Sequence, residues 1–165
     1  MTKTADKIIK VGDNVFYPGH GVAKVTGVEE HAFGDIAQEF FILELERGGK
    51  SMVPTTHRDE LGLRPLVSAR KARALLKQVI EEPELDDSVR WKDRAQAYTE
   101  RLKSGAPERY TEVLQELLHR AKNDRLSATE QRLLDTARSF FVGEVGEALS
   151  LAPEKVEERL AAVSQ

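Results

Sequence analysis

The segment Ser88-Val-Arg-Trp-Lys-Asp-Arg94 contains the chain's only tryptophan, Trp91, with Arg90, Lys92 and Arg94 around it. Residues 90–103 carry five basic and two acidic side chains, a local charge of +3, whereas the whole chain has −3. Free amide N–H groups at the start of a helix attract phosphate, and neighbouring cations strengthen that attraction. The pattern therefore fits binding of a nucleic-acid backbone with a large apolar ring beside it.

Two interpretations of Trp91 are consistent with these residues. In one, the ring is a wedge that fills the space where DNA bases unstack, while the cations hold phosphates. In the other, the ring belongs to an ordinary helical core, and the charges around it are solvated. The residues alone favour neither.

Enzymatic and metal sites are not expected. The four histidines lack the i, i+4 spacing of a helical metal site, and there is no cysteine to add a ligand. We therefore predict no catalytic residue, no metal and no cofactor. Phe16, Tyr17, Phe40 and Phe41 could line a cage for a cation, but alternate members filling a core is the favoured interpretation.

Composition limits how the chain can bind nucleic acid. Its 165 residues are 40% hydrophobic and 32% charged, as in a folded protein. A net charge of −3 argues against coating DNA by bulk electrostatics, so DNA contact needs a local patch and a partner. No run approaches the ~18 apolar residues that span a membrane, and the first ten residues lack a secretory signal core. We expect a cytoplasmic protein.

Before residue 66, short Val-, Phe- and Ile-rich runs alternate with Gly and Pro. This pattern predicts strands at 14–18, 21–28, 38–45 and 50–54, with Gly48-Gly49 as a hairpin turn and Gly27 as a bulge or bend. Four or five short strands in about 55 residues are expected to curl into a small barrel.

After Leu66 the apolar residues recur at helical spacing. Ser68 is a candidate N-cap for a first helix, and one of Asp86, Asp87 and Ser88 for a second that ends near Ser104-Gly105. Pro107, the capping-box pattern Ser127-Ala-Thr-Glu130 and Pro153 mark the starts of three more. The predicted fold is α+β, with a small β-barrel domain at 1–66 and an all-α five-helix domain at 67–165.

The chain resembles the CarD/CdnL family of bacterial transcription regulators over roughly residues 9 to 163. The similarity lies in the order and spacing of short motifs: Val11-Gly-Asp-Asn-Val-Phe-Tyr-Pro-Gly-His-Gly-Val22, Met52-Val-Pro54, Gly62-Leu-Arg64, Trp91, Leu102-Lys-Ser-Gly105 and Leu134-Asp-Thr-Ala-Arg138.

This resemblance implies a Tudor-like (SH3-like) amino-terminal domain, similar to the polymerase-interacting domain of the transcription-repair coupling factor. An edge strand of that domain would pair with the RNA polymerase β subunit, and matching positions place His31, Phe33 and Met52 at the contact. The chain would then act at the nucleoid through the polymerase, as a monomer, although a domain-swapped dimer through an exposed edge strand stays open.

The resemblance also implies a role for the helical domain. Trp91 would pack in the minor groove at the upstream fork of the promoter bubble, with Arg90, Lys92 and Arg94 on phosphates, and stabilise the open complex without sequence specificity.

Three residues depart from the family pattern. Asp93 and Gln96 stand where basic residues are common, and His31 replaces an arginine of some relatives. The first two weaken the expected DNA contact. An alternative function therefore remains, that of an adaptor on RNA polymerase whose helical domain binds another protein rather than DNA.

Overall fold

A computed structural model describes residues 8–164 of the chain. The chain divides between Leu66 and Val67 into two compact units. In the described part, no helix is both long and apolar enough to cross a membrane. Most of the segment in which we predict no secretory signal, residues 1–7, lies outside the described residues.

In the described part of the first unit, five strands form one antiparallel sheet in the order β4-β3-β2-β1-β5. The strands are β1 (Asn14–Tyr17), β2 (Gly21–Phe33), β3 (Ile36–Leu45), β4 (Lys50–Pro54) and β5 (Arg64–Pro65). A 3₁₀ turn, Thr55–His57, follows β4. Strands β4 and β5 are thus the two edges of the sheet.

The predicted turn and bulge are confirmed. Gly48 and Gly49 join β3 to β4 with φ of 104° and 89°, a backbone region that glycine adopts without steric cost. The register of β2 against β3 shifts between Val25 and Gly27, as expected of a bulge. Strand β2 is longer than predicted. It continues past Val28 to Phe33, and residues 27–33 pair with β3.

One face of this sheet covers the core of the first unit. Phe41 and Leu43 of β3 are buried there with Val53 of β4, whereas Phe40 and Ile42 face the other way. The prediction that alternate aromatic residues fill the core is therefore confirmed for Phe40 and Phe41. The buried cluster consists of Ile9, Val15, Ala23, Val25, Phe41, Leu43, Val53 and Leu63.

Five α-helices build the described part of the second unit, and four predicted starts are confirmed. Ser68 accepts a hydrogen bond from the Lys71 N–H, Ser127 forms a capping box with Glu130, and the third and fifth helices begin at prolines. The helices are α1 (Ala69–Ile80), α2 (Trp91–Lys103), α3 (Pro107–Asn123), α4 (Ala128–Leu149) and α5 (Pro153–Ala161).

The predicted cap of α2 is wrong. Its N-cap is Arg90, which makes no side-chain cap hydrogen bond, so none of Asp86, Asp87 and Ser88 caps this helix. The three residues form the preceding loop instead, where the hydroxyl and N–H of Ser88 donate to Asp86 Oδ1 at 2.5 and 3.0 Å. These two hydrogen bonds lower the pKa of Asp86.

The helical core follows the helical spacing of the apolar residues. The buried apolar residues of α3 recur at that spacing, whereas Ile80, the last residue of α1, is exposed. The α+β fold class, with a small β domain followed by an all-α five-helix domain, is confirmed. The buried side chains include Ala72, Leu75, Val79, Tyr110, Val113, Leu114, Leu117, Leu118, Leu134, Ala137, Phe140, Phe141, Val145, Val156, Leu160 and Val163.

Candidate functional site

Trp91 is the first residue of α2, and 52% of it is exposed. The ring is therefore not part of the helical core. Its flanking residues Arg90 and Lys92 are exposed as well, and the Lys92 Nζ lies 5.7 Å from the centre of the Trp91 ring. An exposed indole with two cations beside it lies at the start of a helix that no side chain caps.

The loop between α1 and α2 is tied to α3 by two side-chain contacts. The Gln115 side-chain amide donates to the Glu81 carbonyl at 2.8 Å. One turn further along α3, the buried guanidinium of Arg120 donates to Asp87 at 2.9 Å. The two contacts hold both halves of the loop against one helix.

A further set of contacts holds α2 on α3. The Tyr98 hydroxyl donates to Glu116 Oε2 at 2.8 Å, and Arg101 donates to Glu116 Oε1 at 3.0 Å. Burial raises the pKa of Tyr98 to about 12, so its hydroxyl stays protonated and remains a donor. The Arg101 guanidinium also lies over the Tyr98 ring, 5.7 Å from its centre.

Arg94, predicted to bind DNA, has a carboxylate partner within the chain. Its Nη2 donates to Glu130 Oε1 at 2.9 Å, and their side chains are only 19% and 8% exposed. Glu130 Oε2 meanwhile accepts the backbone N–H of Ser127 at 3.0 Å. Burial alone would raise the pKa of Glu130, but the hydrogen bonds from Arg94 and Ser127 outweigh it and lower that pKa. One carboxylate therefore joins the first turn of α2 to the cap of α4.

These ion pairs change the charge that the sequence predicts around Trp91. Arg94 and Arg101 are neutralised by Glu130 and Glu116, and Lys103 lies ~18 Å along the helix from Trp91 at 1.5 Å per residue. Of the five cations in residues 90–103, only two thus remain near the ring without an ion-pair partner among residues 8–164. These two are Arg90 and Lys92.

A groove with a volume of about 530 Å³ lies beside Trp91 and is also lined by Arg94, Arg125, Leu126 and Glu130. Arg125 is exposed and has no hydrogen-bond or ion-pair partner within the described part of the chain. Arg125 was not predicted as a site residue from the sequence. It lies 34 residues from Trp91 in the loop between α3 and α4, and no local pattern in the sequence brings the two together.

The three predicted docking residues lie on one face of the sheet. His31 pairs with Gln38, Phe33 with Ile36, and Met52 with Ile42. Directly paired residues share a face, and so do alternate residues of one strand. Ile36, Gln38 and Ile42 are separated by even numbers of residues along β3, so their side chains share a face. His31, Phe33 and Met52 therefore lie together on the face opposite the core.

Phe40 is the centre of this outer face. Its ring makes edge contacts with the rings of His31 and Phe33, at centroid distances of 5.7 and 6.2 Å. Phe33 and Ile36 are 63% and 69% exposed, and Met52 is exposed as well. Phe40 and Ile36 were not predicted to lie on this face, although the alternation of side chains along residues 36–42 could have indicated it.

The described residues contain no group of three or more His, Asp or Glu side chains that could hold a metal ion. Asp93 is exposed, and the Gln96 amide lies 3.4 Å from Glu100 on the next turn. The candidate residues thus form two exposed surfaces, one on each unit: the start of α2 and the outer face of the sheet.

Both units match known family domains. Residues 9–67 match the CarD-like/TRCF RID domain, and residues 75–161 match the C-terminal domain of CarD. A relative from Bacillus subtilis (strain 168), named "Putative transcription factor YdeB", is 26% identical over 139 residues. That alignment covers 84% of this chain and 90% of the relative.

Proposed function

This chain belongs to the CarD family, and from that premise we propose that it regulates transcription by binding RNA polymerase and stabilising the promoter open complex. It acts by binding alone and catalyses no reaction. The β unit docks on the polymerase, and the helical unit contacts the DNA where the strands separate. In the cell it accompanies RNA polymerase on the nucleoid.

The docking surface is the outer face of the sheet together with its edge strand β4. An edge strand offers unpaired N–H and C=O groups to which a strand of a partner protein can add. Met52 lies on this edge strand, and His31 and Phe33 lie on the same face. The open edge supplies main-chain hydrogen bonds for strand addition, the exposed apolar face adds side-chain contacts, and we assign the β subunit of RNA polymerase as the partner.

The DNA-contacting surface is the start of α2. Trp91 fills the gap left by unstacked bases at the upstream fork, and Arg90 and Lys92 hold phosphates in the minor groove. Because a wedge fits separated strands better than a closed duplex, it favours the open state by the difference between its two affinities. Docking on the polymerase raises the local concentration of the wedge, so that a chain with a net charge of −3 needs only a weak DNA contact.

One observation carries this proposal: the single tryptophan is half exposed at an uncapped helix start between two unpaired cations. An indole normally buries a large apolar area in a core. Because Trp91 is half exposed, much of that stabilising burial is absent here. A binding role accounts for the position.

The test is Trp91→Ala in a promoter open-complex lifetime assay with purified polymerase. Loss of ~1–3 kcal/mol of base stacking should remove most of the lifetime extension that the native chain produces. The variant should fold normally and still bind the β subunit, because Trp91 lies outside the helical core. Ile80→Ala, a truncation of another exposed apolar residue of the same unit, is the matched control. Full activity of Trp91→Ala would contradict the proposal.

An adaptor whose helical unit binds a protein is the second candidate. It is favoured by the exposed Asp93 and by the internal pairing of Arg94 and Arg101, which leaves few cations for phosphate. Crosslinking from position 91 to forked promoter DNA, in the presence of polymerase, separates the two functions. Crosslinks to protein alone would favour the adaptor.

A further inference from the structure

We propose that α1 carries a separate surface that binds the phosphate backbone of intact duplex DNA. This surface, which we call the α1 stripe, consists of Arg70, Arg73 and Lys77. It shares no residue with the start of α2, and its ligand is a duplex whose strands are not separated. The inference therefore goes beyond the proposed function, because it assigns a second site and a different form of DNA.

The charge of α1 differs from that of the other helices. Among its 12 residues, Ala69–Ile80, four are basic and none is acidic, a local charge of +4 on a chain with −3. Of the five α-helices in the described part of the chain, α1 is the most basic. No acidic side chain of the same helix offsets this excess.

Three of these four cations lie on one side of the helix and face solvent. Arg70, Arg73 and Lys77 are spaced by three and four residues, so they form a row ~10 Å long at 1.5 Å per residue. All three are exposed, and their side chains have no hydrogen-bond or ion-pair partner among residues 8–164. The fourth cation, Lys71, is instead paired with Glu108 of α3.

The position of these cations is unfavourable for the helix itself. Arg70 lies in the first turn, where the positive end of the helix dipole repels a cation, and no acidic residue of that turn compensates. Arg73 and Lys77 are four residues apart, and like charges at that spacing repel each other. A solvated helix face usually mixes charges of both signs. An anionic ligand would relieve both repulsions, and this favours a binding role for the row.

The composition of the α1 stripe favours a phosphate backbone over an acidic protein surface. Protein interfaces have an apolar core in which lysine is depleted, whereas Ala74 is the exposed apolar residue between these cations. One strand of a duplex presents a phosphate for about every 3.4 Å of the helix axis, so a row of ~10 Å passes about three phosphates. Such contacts hold the backbone without reading the base sequence.

Binding of a labelled, fully paired duplex tests the α1 stripe. The full chain is titrated against a duplex of ~20 base pairs, and fluorescence anisotropy is measured between about 20 and about 150 mM salt. In the triple variant Arg70→Gln/Arg73→Gln/Lys77→Gln, affinity at the lowest salt should fall about tenfold or more. The slope of log K against log salt should decrease by about 2.7, the value for three lost phosphate contacts.

The triple variant Lys24→Gln/Arg132→Gln/Arg159→Gln is the matched control. It removes the same charge from exposed side chains of β2, α4 and α5, none of which has an ion-pair partner within the described part of the chain. It should bind the duplex with nearly the native salt slope. Equal losses in both triple variants would show an effect of net charge alone and would overturn the inference. A native chain that does not bind the duplex at low salt would overturn it as well.

A urea titration shows whether the loss of binding comes from the lost cations or from unfolding. Glutamine is a good helix former, and the three substitutions remove the repulsion along the row. The stripe variant should therefore unfold at a urea concentration no lower than the native chain does. A clearly lower midpoint would contradict the repulsion on which the inference depends. The single change Arg73→Gln should decrease the salt slope by about 0.9 and provides a second, milder test.

The outcomes also identify the ligand and separate this inference from the proposed function. If the stripe variant binds the duplex like the native chain but no longer binds polyglutamate, the ligand is an acidic protein and the inference is wrong. Trp91→Ala should bind the closed duplex like the native chain, because a closed duplex has no gap for the ring. If Trp91→Ala keeps its full effect on open complexes, the proposed function is wrong, whereas duplex binding by the α1 stripe stands.

Discussion

The two exposed surfaces of this chain are held in place by different means. His31, Phe33 and Met52 share a face because of strand register alone, which is set by backbone hydrogen bonds. Trp91 is placed by side chains that come from other helices, through the Arg94–Glu130 pair and the Arg120–Asp87 contact. One surface thus depends on the backbone, and the other on charged side chains distant in sequence.

This difference predicts different sensitivities. Backbone hydrogen bonds carry no net charge, so protonation of side chains leaves the strand register unchanged. An ion pair depends on the ionisation of its carboxylate and is lost when that group is protonated. We therefore expect the helical surface to respond to acid and to charge substitutions, and the sheet surface to respond to changes at its apolar contacts.

The largest expected effect is that of Met52→Glu on docking. A carboxylate in the middle of an apolar contact must lose its hydration without gaining a partner. Affinity for the isolated β-subunit lobe should fall on the order of 100-fold or more, measured by pull-down or calorimetry. Unfolding of the helical unit should not change.

Ile80→Glu is the matched control, since it makes the same kind of change at an exposed apolar residue of α1. It should bind the β-subunit lobe like the native chain. If Met52→Glu also docked normally, the outer face of the sheet would not be the contact.

The second effect is that of Glu130→Gln on the helical unit. The substitution leaves the Arg94 guanidinium, 19% exposed, without its carboxylate. We expect the free energy of unfolding to fall by about 2 kcal/mol, less than for a fully buried pair because water reaches Arg94. Urea unfolding followed by Trp91 fluorescence measures this. Glu158→Gln, in an exposed pair with Lys155, should change it by less than about 0.5 kcal/mol.

Acid should abolish the difference between the native chain and Glu130→Gln. The pKa of Glu130 is lowered in the folded state from its ordinary 4.5. Its contribution is therefore fully present above that ordinary value and is lost as the pH falls through the lowered pKa. A difference in unfolding free energy that stayed constant down to about pH 3 would show that the pair does not act through charge.

The smallest expected effect is that of Ser127→Ala, which removes one hydrogen bond at the cap of α4. Loss of an N-cap costs about 1 kcal/mol, and the same urea titration measures it. Ser139→Ala, in the middle of α4, is the control and should not lower stability, because alanine is the better helix former. A larger loss at Ser139 than at Ser127 would contradict the capping role.

Local patterns were enough to predict much of the fold. Ser68, Pro107, Ser127 and Pro153 mark helix starts because a cap or a first-turn proline acts within a few residues. The start of α2 was not predicted correctly. Asp86, Asp87 and Ser88 are residue types that commonly cap helices, but here Ser88 donates to Asp86 within the loop that precedes the helix.

The candidate sites were less predictable because their contacts are distant along the chain. Nothing near Arg94 indicates that Glu130, 36 residues away, is its partner. In the same way, no local pattern brings Arg125 to Trp91 or predicts that β2 extends to Phe33.

The amino-acid sequence by itself determined the α+β class, four of the five helix starts, and the position of one tryptophan among cations near the start of the remaining helix. These depend on hydrogen bonds and side-chain spacing within a few residues. Only the tertiary structure decided that Trp91 is exposed and that His31, Phe33 and Met52 share one face. It also decided that Arg94 and Arg101 are paired, while Arg90, Lys92 and Arg125 have no ion-pair partner among residues 8–164. The reason is physical. Ion-pair partners, the side chains that pack on a ring and neighbouring strands come from segments distant in sequence, which only folding brings together.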